Sequence, residues 1–253
     1  LGKMHKKGLL YKGHTIQPFS PKAGTGLSTH ELNQPGCYRD VKDTSAIAQF
    51  KVIKDEKSKA LFTHTNYDIY FLAWTTTPWT LPSNTALAVG KNITYIKVKT
   101  FNRYTQELSV VILAKDRLNA YFSEAKADMQ AEDAKPGNKP YPYIEIVEEI
   151  KGSELAGMRY EQLMTYVQPD GDAFRVVIGD FVSTEDGTGI VHIAPTFGAD
   201  DAKVAKDAGI PPMLVLDDQG NPVPLVDLQG RFRPEMKELA GKYVKNEYYT
   251  EGE

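Results

Sequence analysis

One cysteine, Cys37, in 253 residues leaves no partner for an intrachain disulfide, so no covalent framework is expected and a reducing setting fits. The five histidines, His5, His14, His30, His64 and His192, are scattered, and none stands at short ligand spacing from a second histidine or from the cysteine. No metal site is therefore expected. No apolar run is long enough to span a bilayer, and the charged start Leu1-Gly2-Lys3-Met4-His5-Lys6-Lys7 has no apolar core behind it, so no membrane contact is expected either. Neither sign of charge dominates: 30 Lys and Arg against 33 Asp and Glu leave a net charge of -3. Any nucleic-acid contact must then come from local basic patches and not from the global field, which argues against wrapping a duplex.

What is present is an ordinary globular composition, 41% hydrophobic and 25% charged, in a chain long enough to bury a substantial core. Residues 1–45, rich in Gly, Pro, Ser and Lys, look like a connector with a few short strands; residues 46–240 form the main domain and 241–253 a return connector. The chain opens without Met and closes in Glu251-Gly252-Glu253, which suggests a segment of a longer protein. Short runs rich in Val, Ile and Tyr predict strands over 46–53, 69–75, 93–99, 107–114, 144–150, 175–182 and 189–194, with a hairpin connection at 100–106. Helices are expected over 115–127, after a Ser153 cap with Glu154 in the first turn, over 200–208, and over 234–240 with Pro234 in the first turn. Residues 128–143, with Lys135-Pro136-Gly137-Asn138-Lys139-Pro140, read as a flexible loop. Strands dominate without regular alternation with helices. The expectation is a mixed α/β domain with a β-barrel-like core and peripheral helices, because closure removes the exposed edges that many short strands create.

Two strings stand out. The first is Ala73-Trp74-Thr75-Thr76-Thr77-Pro78-Trp79-Thr80-Leu81-Pro82-Ser83-Asn84. Three threonines leave a strand, and Pro78 and Pro82 prevent the ladder from continuing, so hydroxyls are held at the mouth of a sheet. Each offers one donor and two acceptors beside a methyl group, which suits a small pocket touching both an ester and an aliphatic side chain. Taken alone, such a run means only that threonine fits a pleated surface, with both tryptophans in the core.

The second string is Asp186-Gly187-Thr188-Gly189-Ile190-Val191-His192-Ile193-Ala194-Pro195-Thr196-Phe197-Gly198-Ala199-Asp200-Asp201. A glycine-rich turn enters a buried strand interrupted by His192, and a loop through Gly198 leads into a helix whose N-terminus carries Asp200 and Asp201. The macrodipole favours an ionised carboxylate there, suited to gripping an ammonium group. A lone strand histidine is more often structural, and an Asp-Asp pair at a helix start is more often a cap. Spacing alone does not separate these readings.

Together the two strings resemble the insertion domain that edits in isoleucyl-tRNA synthetases, within the class I synthetase family. The resemblance extends to Gly8-Leu9-Leu10-Tyr11, Ser28-Thr29-His30-Glu31 and Tyr38-Arg39-Asp40-Val41. The related valyl and leucyl enzymes usually carry Arg where Thr77 stands, which points to the isoleucyl branch. The resemblance implies the editing-domain fold and a hydrolase that removes valine from mischarged tRNA(Ile). By this resemblance Asp201 binds the α-ammonium of the misattached amino acid, and Thr75, Thr76 and Thr77 surround the ester and the attacking water. His192 helps to exclude isoleucine, Asn84 and Thr80 line the same site, Trp74 supports the strand from behind while contributing to substrate binding, and Asp200 caps the helix beside the substrate. The expected partners are the acceptor 3′ end of tRNA(Ile), valine or a related misactivated amino acid, and the rest of the synthetase polypeptide. No cofactor is expected, and the protein is expected to be a cytoplasmic monomer.

Ester hydrolysis needs a placed water, ammonium recognition and stabilisation of a developing oxyanion. Ser83 and Ser183 lack an evident base and Cys37 is remote, so water is the expected nucleophile, activated with help from the neighbouring hydroxyl of the terminal ribose. Lys203 and Lys206, with nearby aromatics, could contact a single-stranded acceptor end or simply form a solvated helix face. The rivals are a non-catalytic module that binds the tRNA 3′ end and a hydrolase using a Ser/His/Asp triad. His-Ile-Gly-His-like and Lys-Met-Ser-Lys-Ser-like strings are absent, so amino-acid activation is not expected of this chain.

Overall fold

Alternation along the strands decides this architecture. The computed structural model describes residues 1–11, 16–102, 104–124 and 141–249. It opens with helix α1 (Gly2–Lys6), the paired strands β1 (Phe19–Ser20) and β2 (Thr25–Gly26), and helix α2 (Thr29–Leu32), where Ser28 and Glu31 form a capping box. The main body follows: β3 (Ala46–Lys51), β4 (Ile69–Thr75), β5 (Ala86–Val89), β6 (Thr94–Phe101), β7 (Leu108–Ala114), α3 (Leu118–Tyr121), β8 (Phe122–Glu124), β9 (Tyr141–Lys151), α4 (Gly152–Leu155), β10 (Arg175–Ile178), β11 (Ile190–Ile193), α5 (Ala199–Ala208), β12 (Val215–Leu216) and β13 (Pro222–Val223).

Six of these strands pair in the order β3-β4-β7-β6-β9-β8, and a second sheet runs β10-β5-β11. The two are joined at both sides. Val52 bridges Tyr160 and Arg159 bridges Arg175, so residues 158–161 carry the ladder from β3 to β10. On the other side the Ala114 amide donates to the Thr188 carbonyl at 2.8 Å, tying the end of β7 to the entrance of β11. The strands therefore run round from β7 through β4, β3, β10, β5 and β11 back to β7. This is the expected barrel-like core, closed by bridges and single hydrogen bonds where a continuous ladder would be too long for such short strands.

Inside the ring lie alternate residues: Phe50, Ile69, Phe71, Ala73, Val110, Ile112, Leu87, Val89, Ile190 and Tyr160, all buried. Burying each of the larger ones contributes about 1.5–3 kcal/mol. The outer faces of β4 and β7 are covered too, by Leu72, Val111, Leu113, Ile96, Val98 and Phe122. That two-sided burial explains why these strands read as unbroken apolar runs. A third cluster places Ala205 and Ile210 against Ala86, Ala88 and Ile193, so α5 rests on the outer face of the small sheet.

Several sequence expectations change. The helix expected over 115–127 is a 3-10 turn (Lys115–Arg117) followed by α3, and the chain then extends into β8; its remainder lies outside the described residues. Of the loop expected over 128–143, residues 141–143 belong to β9 and the rest lie outside the described residues. Ser153 does not cap α4 but sits within it, and the Glu154 carboxylate accepts from the Lys151 amide at 2.9 Å. Strand β5, central to the small sheet, was not expected at all.

Candidate functional site

The first string ends β4 as its prolines require. Inward alternation through Ile69, Phe71 and Ala73 brings Thr75 to the barrel mouth, buried. The chain then turns into a 3-10 helix, Pro78–Ser83, with Pro78 in its first turn. This places Thr75, Thr77 and Thr80 in a ladder of hydroxyls. The Thr77 amide donates to Thr75 Oγ1 at 3.0 Å, and Thr75 Oγ1 and Thr77 Oγ1 lie 3.3 Å apart. Thr77 Oγ1 lies 3.4 Å from Thr80 Oγ1, which donates to the Thr77 carbonyl at 2.8 Å. Thr76 is exposed on the cavity rim.

The second string supplies the other components. On β11, His192 pairs in register with Leu87 of β5 and shares the barrel-facing side with Ile190. Its Nε2 lies 3.1 Å from Thr80 Oγ1. With the Thr80 proton directed to the Thr77 carbonyl, the Nε2–H tautomer of His192 completes this contact; with that proton directed to Nε2, the other tautomer does. The His192 Nδ1 is buried and has no hydrogen-bond partner among the described residues. Burial holds the His192 pKa down at about 4, so the ring is neutral near pH 7.

Asp201 stands in the first turn of α5 and reaches back over the loop, where its carboxylate accepts from the Ala194 amide at 2.8 Å. Burial pushes its pKa up, and the adjacent Asp200 adds to this, while the amides of Ala194 and of Asp201 itself pull the other way. Burial outweighs the local dipoles. Among the described residues, no Lys or Arg forms an ion pair with Asp201. A half-buried carboxylate in this position lacks a cation.

One cavity of about 420 Å³ brings these groups together, lined by Thr75, Thr76, Thr77, Thr80, His192 and Asp201. Trp74 also lines it, packed against Gly187, and so faces the cavity instead of only backing the strand. Asn84 is not among the lining residues. It is buried beneath the 3-10 helix, donating to the Ala86 carbonyl at 2.8 Å and accepting from the Tyr160 hydroxyl at 2.7 Å. Asp200 makes no cap: the N-cap position is Gly198, and Asp200 is exposed beside a separate hollow that also contains Lys203. Neither Lys203 nor Lys206 reaches the main cavity.

Among the wall residues, Trp79, Asp186 and Phe197 stand inside the two strings with no site role expected of them, and Phe181 lies outside both. Trp79 and Phe197 meet edge to face at 5.0 Å, joining the two strings across the cavity wall. Ser183 is on the rim and Ser83 is buried, but the hydroxyl bonded to His192 belongs to Thr80. No serine–histidine pair is assembled among the described residues. Nor, among them, does any group of three or more His, Cys, Asp or Glu side chains stand together as a candidate metal site.

No family model matches the chain. The chain is 60% identical over its full length to the isoleucine–tRNA ligase of Cytophaga hutchinsonii, of which it covers 22%. It is 55% identical, over 98% of its length, to that of Bacteroides fragilis, of which it covers 23%. The chain thus spans roughly a fifth of the length of the curated relatives it matches. Among solved structures, the editing domain of the P. knowlesi cytosolic leucyl-tRNA synthetase is similar with a TM-score of 0.47 and 16% identity, over 65% of this chain and 62% of that one.

Proposed function

From the premise that this chain is homologous along its whole length to a segment of the isoleucine–tRNA ligases, we propose that it is their editing segment and hydrolyses the ester of valine mischarged on tRNA(Ile). The observation that carries this reading is the Asp201 carboxylate, without an ion-pair partner among the described residues, sharing one cavity with the Thr75–Thr77–Thr80 hydroxyl ladder and a neutral His192.

The chemistry follows from the groups present. The α-ammonium of the aminoacyl ester supplies the cation that Asp201 lacks, and in a half-buried site this attraction exceeds that of an exposed pair. Water adds to the ester carbonyl carbon, the bond from that carbon to the ribose oxygen breaks, and the ribose oxygen leaves with a proton as the free tRNA hydroxyl. Valine departs as its carboxylate. The neighbouring ribose hydroxyl helps to activate the water, and Thr77, whose hydroxyl and amide are tied to Thr75, orients it. His192 acts as a neutral wall and hydrogen-bond partner, since its depressed pKa keeps it from serving as an acid near neutrality.

A single methylene is worth only about 1–3 kcal/mol in a hydrophobic pocket, a limit for which isoleucine against valine on this very synthetase is the standard illustration. A second cavity that admits valine and excludes isoleucine completes the discrimination. Its wall is built from threonine methyls and His192, held by the hydrogen bond to Thr80.

Asp201→Ala in the full-length synthetase tests the reading. Removing a charge-assisted bond made to the substrate should lower kcat/KM for valyl-tRNA deacylation about ten- to a hundredfold. tRNA binding, followed by filter retention, should not change. Undiminished deacylation would overturn the assignment.

A further inference from the structure

Gly198 has no backbone reason to be glycine. Its φ of -113° and ψ of 133° are extended values open to any residue. Gly187 and Gly189 of the same string differ, since both adopt positive φ, 64° and 75°, where glycine relieves strain. At Gly198 the demand is for space. A Cβ built there would fall 2.7 Å from Asp201 Cγ and 3.0 Å from each carboxylate oxygen, flat against the carboxylate. Its three nearest atoms all belong to Asp201. The same carboxylate is fixed on another side by the Ala194 amide at 2.8 Å.

We propose that Gly198 is a positioning residue for the ammonium-binding carboxylate: by lacking a side chain it lets Asp201 fold back over the 194–198 loop, accept from Ala194 and still line the cavity. The carboxylate is held between an amide donor and a bare Cα. A methyl group at 198 forces the short aspartate side chain to rotate, breaks its bond to Ala194 and moves the negative charge away from the position where the ammonium must sit. Displacements of about an ångström at such a site cost as much as a hundredfold in rate. This inference rests on the reading of Asp201 as the ammonium grip.

The test is a double-mutant cycle in the full-length synthetase with Gly198→Ala, Asp201→Ala and the double variant, measuring valyl-tRNA(Ile) deacylation and thermal unfolding. Gly198→Ala is expected to lower kcat/KM at least tenfold in the wild-type background. In the Asp201→Ala background it should change kcat/KM less than twofold, because the atoms it collides with are gone. That background also controls for folding: the double variant has no clash and should melt with Asp201→Ala even if Gly198→Ala alone melts lower. A second readout uses the 2-hydroxyisovaleryl ester, which lacks the ammonium; Gly198→Ala should cleave it as the wild type does.

Equal losses in both backgrounds, or an equal loss on the ammonium-free ester, would show that Gly198 acts independently of Asp201 and overturn the inference. So would Gly198→Ala with wild-type activity while Asp201→Ala is impaired, an outcome that leaves the proposed function intact. Undiminished activity in Asp201→Ala, or a wild type that leaves the valyl ester untouched, overturns the underlying reading and this inference with it.

Discussion

Burial works against protonation of His192. Its pKa falls from an ordinary 6.5 to about 4 because the ring is buried. Between these two values the unfolded chain binds a proton that the folded protein does not, so the stability this site contributes rises with pH. The full contribution is present above about pH 6.5 and is lost as pH falls towards 4, to the extent of about 3 kcal/mol. Denaturant titrations across this range should show that slope in the wild type and a much shallower one in His192→Asn. An unchanged slope would mean that another group carries the acid sensitivity. Asp201 works in the opposite sense, since its pKa is raised. Its burial is least costly when protonated, so stability is lost as pH rises through its folded pKa, while the proposed ammonium binding needs the ionised form. The half of Asp201 legible in the sequence was its place at a helix start. The bond back to Ala194 depends on the loop geometry, which spacing does not encode.

At the scale of elements, the strands that carry the site were readable and the ones that support it were less so. β4 and β11 are rich in β-branched and aromatic residues and are followed within three residues by Pro78 and Pro195, so 69–75 and 189–194 were close to the observed Ile69–Thr75 and Ile190–Ile193. β5 is Ala86-Leu87-Ala88-Val89, half alanine and only four residues long, with no alternation because both its faces are buried. Its identity as a strand comes from its neighbours β10 and β11. The misplacement of Asn84 has the same origin. It lies beside the threonine string in sequence, yet at the end of the 3-10 helix its side chain turns inward to Tyr160 and Ala86 and braces the helix against residues 158–161. Tyr160→Phe strands the Asn84 carbonyl in the core and should cost about 1–3 kcal/mol of stability. Deacylation at a temperature where the variant is folded should keep its wild-type kcat/KM. A selective loss of kcat/KM at full stability would return Asn84 to the substrate site.

At the scale of the whole molecule, the barrel brings two strings more than a hundred residues apart into one cavity: Thr80 and His192 bond across 112 positions. Their convergence was expected from the resemblance to synthetase editing domains and not from spacing. Ring closure through 158–161 and through Thr188 supplies its physical cause. The Trp79–Phe197 contact and the Thr80–His192 hydrogen bond each tie one string to the other, so these parts of the wall are held from two elements. Selectivity is therefore the property in which the fold, the residues and the proposed chemistry meet. The most direct measurement is the deacylation of valyl-tRNA(Ile) and isoleucyl-tRNA(Ile), side by side, by the full-length synthetase containing this segment. The account predicts that the valyl ester is cleaved and the isoleucyl ester spared. A valyl ester left intact, or both esters cleaved at the same rate, would contradict it.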